Sequence, residues 1–311
     1  MPVSNRPTDD PAVARWVRRE LAERPPRARS LIATIWGDTL APHGGEVWLS
    51  TLIDLLAPFD INERLVRTSV FRLAKDGWLA AETRGRRSRY RLTRDGAQRF
   101  EHAYRRVYTP PLHRWDGAWN VVIARSSDVP SASRKPLRDA LAWNGYAILV
   151  PGVYARPSTP GLVDDFAHVE NRIVKFIARD IADSPTQSLA NRVDQAWQLG
   201  ELAADYREFI GRFARVVEAF HSERTASPRQ AFVVRSLLVH EYRRVRLRDP
   251  QLPARLLPTH WPGAEAYSLC RDFYRTAIPL AEAHLANVVA ANGETLRAAQ
   301  PSLRMRFAAI V

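Results

Sequence analysis

Between residues 28 and 108 the apolar positions fall first into helical and then into alternating spacing. In SLIATIWGDTLAP (30–42) they recur at helical intervals. After His43-Gly44-Gly45, VWLSTLIDLLAPF (47–59) predicts a second helix that Pro58 closes. Phe59-Asp60-Ile61 leads into a third. Asn62 is a suitable N-cap for it, Val66, Val70 and Leu73 recur at i, i+4 and i+7 with Leu65 and Ser69 on their flank, and Gly77 stops it. The opposite arc carries Arg64, Arg67, Thr68 and Lys75, with Arg72 at its edge. Trp78-Leu79-Ala80 then reads as a strand, RGRRS (84–88) as a turn, and Tyr90 and Leu92 as the returning strand. Arginines 84, 86, 87, 89 and 91 crowd this hairpin and repel one another unless an anion lies opposite. Helices followed by a basic hairpin predict a winged helix-turn-helix. Asn62, Arg64, Arg67, Thr68 and Arg72 face the major groove in that reading, while Arg86, Arg87 and Arg89 meet phosphates or the minor groove. The plainer alternative is an amphipathic helix with a solvated arginine face.

The rest of the chain changes rhythm twice. AQRFEHAYRRVY continues as a helix whose Phe100, Tyr104 and Tyr108 share a face, ended by Pro110-Pro111. GAWNVVIAR (117–125) is β-rich, SASRKPLRDALAWNG (131–145) helical, YAILVPGVYARP (146–157) a strand and RIVKFIARDI (172–181) another. That succession suggests a ferredoxin-like domain. From Ser188 the pattern is helical: 189–220 with a possible break at Gly200, then 231–247, then one or two helices from Ala266. The expected fold is α+β and multi-domain. A poorly ordered extension covers 1–27, although AVARWVRRELAER within it can form a short helix anchored by Trp16. A winged helix-turn-helix with linker helix covers 28–108, a ferredoxin-like α+β domain 109–187, and an all-α domain for effector binding or dimerisation 188–311.

Composition narrows the function classes. Lys and Arg number 46 against 33 Asp and Glu, a formal charge of +13, which suits a polyanionic partner. The single Cys270 excludes an intramolecular disulfide framework and a Cys-rich zinc site. No run of 18 apolar residues appears, so a soluble cytoplasmic protein without membrane partners is expected. His240-Glu241 does not complete the zincin pattern, because Arg244 stands where the second His belongs. Neither a nucleophile elbow nor a phosphate loop is present, so no catalytic residue, metal or cofactor is assigned. Arg243, Arg244, Arg246 and Arg248, with Tyr242 and Trp261 nearby, suit an anion site beside an apolar slot or a contact face between domains.

Three stretches, GDTLAPHGGEVWLSTLI, INERLVRTSVFRLAKDGWL and GRRSRYRLT, together with LLVHEYRRVRLRDPQLPARLLPTHWPG and SLCRDFYR, resemble repressors of the PaaX family, the regulators of phenylacetic acid degradation. VRTSVFRLAKDGWL also has the cadence of the GntR-type third helix, with Arg67 at its arginine. Asn62-Glu63-Arg64 departs from the Ser-Arg-Thr usual there, so Glu63 either reads a cytosine or neutralises the helix start. The resemblance implies a homodimeric repressor of double-stranded operator DNA in an aromatic-acid catabolic operon. It also implies release by an acyl-CoA effector such as phenylacetyl-CoA, for which Tyr242, Arg243, Arg244, Arg246 and Trp261 are the candidates. The family's middle domain is related in shape to small CRISPR-associated nucleases with an acidic first strand. Here that strand carries Asn120, and Asp128 falls beyond it. A divalent-metal nuclease and a protein-interaction module are the alternatives to a non-enzymatic repressor.

Overall fold

A computed structural model describes residues 11–85, 87–110, 115–124, 129–158, 173–179, 187–223 and 226–307. They form helices and strands in two compact units. One comprises 1–110, 208–246 and 265–311, the other 111–207 and 247–264.

In the larger unit α1 (Ala12–Glu23) buries Val13, Trp16 and Leu21. Trp16 donates to Arg212 O at 3.1 Å and packs on Phe213. Residues 12–23 are therefore a docked helix, not part of a poorly ordered tail; residues 1–10 lie outside the described ones. Helix α2 (Ala28–Ile35) runs into a π-helical turn, Trp36–Leu40, and a 3-10 turn, Ala41–His43. Strand β1 (Glu46–Trp48) precedes α3 (Leu49–Leu56), so the expected second helix begins later, at Leu49. Val47 and Trp48 are instead extended, because they pair with Tyr90 and Arg89.

Helix α4 (Glu63–Lys75) starts at Asn62, whose side chain accepts from Leu65 N at 3.0 Å. Val66, Ser69, Val70 and Leu73 are buried as the spacing predicts, but Leu65 is 48% exposed and leaves the core stripe. Strands β2 (Leu79–Arg84) and β3 (Arg87–Leu92) form the hairpin, and the sheet order is β1-β3-β2, all antiparallel. Helix α5 (Arg94–Tyr108) follows, capped by Thr93, whose hydroxyl accepts from Gly96 N at 2.9 Å.

In the smaller unit β4 (Ala118–Ile123), β5 (Ala147–Val150), β6 (Val153–Pro157) and β7 (Val174–Arg179) make an antiparallel sheet in the order β5-β6-β4-β7. The single strand expected over 146–157 is two, because Pro151-Gly152, with Gly152 at φ +82°, turns the chain back. Alternation along β4 sends Val122 to one core, with Leu137 and Leu141 of α6 (Ser131–Trp143), and Trp119 and Val121 to another. The second core is completed by Val193 of α7 (Gln187–Trp197), Leu199, Leu252 and Leu256.

The helices expected as one all-α domain over 188–311 divide between the two units. Helix α8 (Leu199–Glu223) begins after Gln198 at φ +52°, two residues before the expected break at Gly200. Its residues from Glu208, α9 (Pro228–Arg246) and most of α10 (Gly263–Ala291) belong with the N-terminal helices, while 247–264 belong with the sheet of the smaller unit. The reason is visible in α9. Phe232, Val234, Arg235, Leu238 and Tyr242 are fully buried, and a helix buried on every side is an interior element.

Candidate nucleic-acid interface

The exposed arc of α4 holds Arg64, Arg67, Thr68, Arg72 and Lys75, and Asn62 is exposed at its start. Phe71, which the sequence reading passed over, is 67% exposed among them. An isolated large ring on a cationic surface is a signal the spacing alone did contain, since Phe71 lies one helical turn beyond Arg67. Arg67 meets Glu63 at 2.6 Å across one turn, so Glu63 partners an arginine on its own helix.

The hairpin departs from a freely solvated arginine tip. Arg86 lies outside the described residues. Arg87 stacks on the Trp48 ring, 4.5 Å from its centroid, and meets Glu294 at 3.3 Å. Arg89 pairs with Glu46 and lies 5.9 Å from the same ring. Arg84 pairs with Glu82 on its own strand. These are half-exposed contacts, worth little in water, and phosphate oxygens can replace the carboxylates. A recess of about 340 Å³ between α3, α4 and the hairpin is bordered by Trp48, Ser50, Glu63, Arg67, Arg87 and Ser88.

The expected effector residues do not converge. Tyr242 is fully buried and stacks on Phe209 and Phe307. Arg246, 1% exposed, donates to Arg106 O at 3.1 Å and Thr109 O at 3.2 Å, closing the end of α5. Tyr242 is a core side chain, and Arg246 supplies donors to carbonyls at a helix end that have no partner within their own helix. Arg244 is exposed and bound to Glu241, and Arg248 pairs with Asp205. Trp261 lies in the smaller unit against Tyr206. Arg243 lines a cavity.

What the sequence reading missed is a buried ionic cluster. The π-helical turn places Asp38, 2% exposed, where it accepts from Tyr108 Oη at 2.5 Å, Tyr274 Oη at 2.9 Å, Arg235 Nε at 3.0 Å and Arg306 Nη1 at 3.1 Å. Burial raises the carboxyl's pKa, but the two guanidinium groups and the tyrosine hydrogen bonds outweigh it and hold it below the usual carboxylate range. Arg235 also donates to Glu282 at 3.1 Å, and Glu282 meets His43 Nε2 at 2.8 Å. For His43 burial works against the proton, yet the hydrogen bond to Glu282 prevails and raises its pKa. His240 is different. Burial, with Arg243, Arg244 and Arg212 nearby, pushes it down to about 3, and its Nδ1 lies 2.9 Å from the Thr34 hydroxyl. The cluster joins α2, α5, α9, α10 and residue 306, so it fixes the frame on which α4 and the hairpin are mounted.

No group of three His, Cys, Asp or Glu able to hold a metal occurs among the described residues. Asp116, beside β4, pairs with Arg179, and Asp128 lies outside the described residues. None of the described helices is long and apolar enough to cross a membrane.

Comparison with known proteins gives matches along the chain. Family models match as PaaX-like protein over residues 27–96, PaaX protein central Cas2-like domain over 112–187, and PaaX-like protein C-terminal domain over 197–287. The transcriptional repressor PaaX of Escherichia coli (strain K12) is 36% identical over 276 residues, covering 87% of this chain and 85% of that protein. Among solved structures, the uncharacterized protein Rv0674 from Mycobacterium tuberculosis is similar with a TM-score of 0.50 and 27% identity, over 75% of this chain and 89% of that one. With all three family segments present in order and a relative aligned over most of its length, the chain belongs to the PaaX family.

Proposed function

We propose that the protein is a transcriptional repressor of phenylacetic acid degradation that binds operator DNA through a winged helix-turn-helix, and that it is not an enzyme. The observation that carries this reading is the exposed face of α4, on which Arg64, Arg67, Thr68 and Arg72 stand clear of the core beside a basic hairpin. In this reading α3 and α4 are the helix-turn-helix, α4 lies in the major groove, and β2-β3 is the wing. The 36% identity to a protein named as a transcriptional repressor supports it. The smaller unit is read as ferredoxin-like, supported by β4 lying between β6 and β7. Two-fold operators call for a homodimer, and an aryl-acyl-CoA is the effector that releases it.

The test is genetic. Deleting the gene should raise transcripts of the phenylacetate catabolic genes in cells grown without phenylacetate, and complementation should lower them again. Unchanged transcripts in the deletion strain refute the assignment.

A further inference from the structure

Arg243 is a guanidinium held largely out of water without an ion pair among the described residues. Its Nη2 reaches Ser30 O at 3.3 Å and Ser30 Oγ at 3.4 Å, both long, and its Nε is buried with no acceptor. Burial lowers its pKa. Nearby, Asp38 and Glu282 are set against Arg235 and Arg306, so Arg243 adds a positive charge that these two carboxylates do not offset.

The cavity that Arg243 borders lies between α2, α5 and α9 and is walled by Ala33, Gly37, Phe100, Ala103 and Tyr104. Its volume is about 30 Å³. That is room for water, whereas a dry cavity that takes an aromatic ring is roughly 150 Å³. Phe100 keeps it small. Its ring lies so close over Gly37 that a Cβ there would stand 2.8 Å from Phe100 Cδ1. Gly37, Phe100 and Tyr104 also wall a neighbouring cleft of about 580 Å³ that extends to Arg91, Leu92 and Met305. Phe100 is thus a shared wall, and turning its ring would open one space to the other.

Phe100 also touches the DNA-facing elements. Its ring packs edge-on against Trp78, with centroids 5.6 Å apart. Trp78 sits between α4 and β2, and its carbonyl accepts from Thr93 N at 3.0 Å where β3 ends. Moving Phe100 therefore bears on the junction that sets the hairpin against α4.

We propose that this cavity is the effector site: it admits an aromatic acyl group, as free carboxylate or as thioester, whose ring displaces Phe100 and whose oxygen accepts from Arg243. The gate is itself an aromatic ring, so a ring of similar size fills the space it vacates. The neighbouring cleft has room for whatever the acyl group is attached to. Occupancy shifts Trp78 and with it the angle between α4 and the hairpin, which weakens DNA binding. This inference rests on the repressor reading and adds to it the site and the route of coupling.

Titration calorimetry of the full chain with phenylacetate, with phenylacetyl-CoA and with CoA alone tests it. One of the two acyl probes should bind, and which one does identifies the source of the acyl group. CoA alone should not bind comparably. Arg243→Met should weaken the acyl probe by about 10- to 100-fold, the loss expected of a hydrogen bond to a charged donor. Ala103→Phe, which fills the cavity, should abolish binding. Absence of binding by both probes, equal binding of CoA alone, or wild-type affinity in Ala103→Phe overturns the proposal. Should Arg243→Met fail to fold by circular dichroism, Ala103→Phe decides. Duplex DNA binding is measured separately on the same preparations: its absence in the wild-type chain would refute the repressor reading while leaving the ligand titration interpretable.

Discussion

Replacing Asp38 by Asn removes the negative charge shared by two buried guanidinium groups while keeping an oxygen for the tyrosine hydroxyls. Arg235 and Arg306 are 0% and 4% exposed and meet Asp38 at 3.0 and 3.1 Å. Breaking a buried pair by deleting one partner typically costs about 3–5 kcal/mol, because the remaining charge has nowhere to go. At about 2–4 °C per kcal/mol for a unit of this size, Tm should fall by roughly 6–20 °C. The pH dependence gives a second, signed readout. The folded carboxyl titrates below its unfolded value of about 3.9, so its contribution is complete above that value and is lost as pH falls through the folded pKa. The stability gap between wild type and Asp38→Asn should therefore be widest near neutrality and close below about pH 4. Chemical denaturation between pH 3 and 7 measures it. A gap under about 1 kcal/mol at pH 7 would show that the cluster does not hold the frame together.

Further outcomes follow from named side chains. His240 is neutral in the fold with its pKa lowered to about 3, so stability should decline as pH falls below about 6.5; thermal melts of His240→Gln should show a shallower decline, the remainder coming from His102 and His284, whose pKa values burial also lowers. Because Arg87 is held by Glu294, Glu294→Gln should tighten binding to any duplex, whereas Arg87→Ala with Arg89→Ala should flatten log K against log salt by about 0.9 for each phosphate no longer neutralised. Arg67→Ala should cost about 1–3 kcal/mol on the operator by anisotropy titration if Arg67 reads a base edge, and equal weakening on operator and random DNA would assign it to phosphate. If exposed Phe71 reads a thymine methyl, replacing thymine by uracil in the site should weaken the wild type but not Phe71→Ala, and sensitivity that survives in Phe71→Ala would refute that role.

The local elements were legible because their signals are local. Asn62 caps α4, Val66, Val70 and Leu73 turn inward, and Pro110 follows the end of α5, as the spacing requires. Long-range pairing was not. Val47 and Trp48 look helical in sequence and are extended because β3 offers them partners. Leu65 flanks the packed stripe in sequence and is half exposed, since about 100° of helix separates it from Val66. The site suffered most. Four arginines in six positions of α9 and the loop after it suggested a single anionic patch, yet the helix divides them between Ser30, Glu241, two carbonyls at the end of α5, and Asp205. The residues that build the ionic cluster, Asp38, Arg235, Glu282 and Arg306, are separated by up to 268 positions and carry no spacing signal.

The repressor reading depends on α4 reading DNA. Fluorescence anisotropy with a labelled duplex from the promoter of the phenylacetate catabolic genes, against a scrambled duplex at the same salt, tests this most directly. The wild-type chain should prefer the promoter by about 10³-fold or more, and the triple variant Arg64→Ala, Arg67→Ala, Arg72→Ala should lose that preference while its circular dichroism stays unchanged. Equal affinity of the wild-type chain for both duplexes, or a preference that survives in the triple variant, would contradict it.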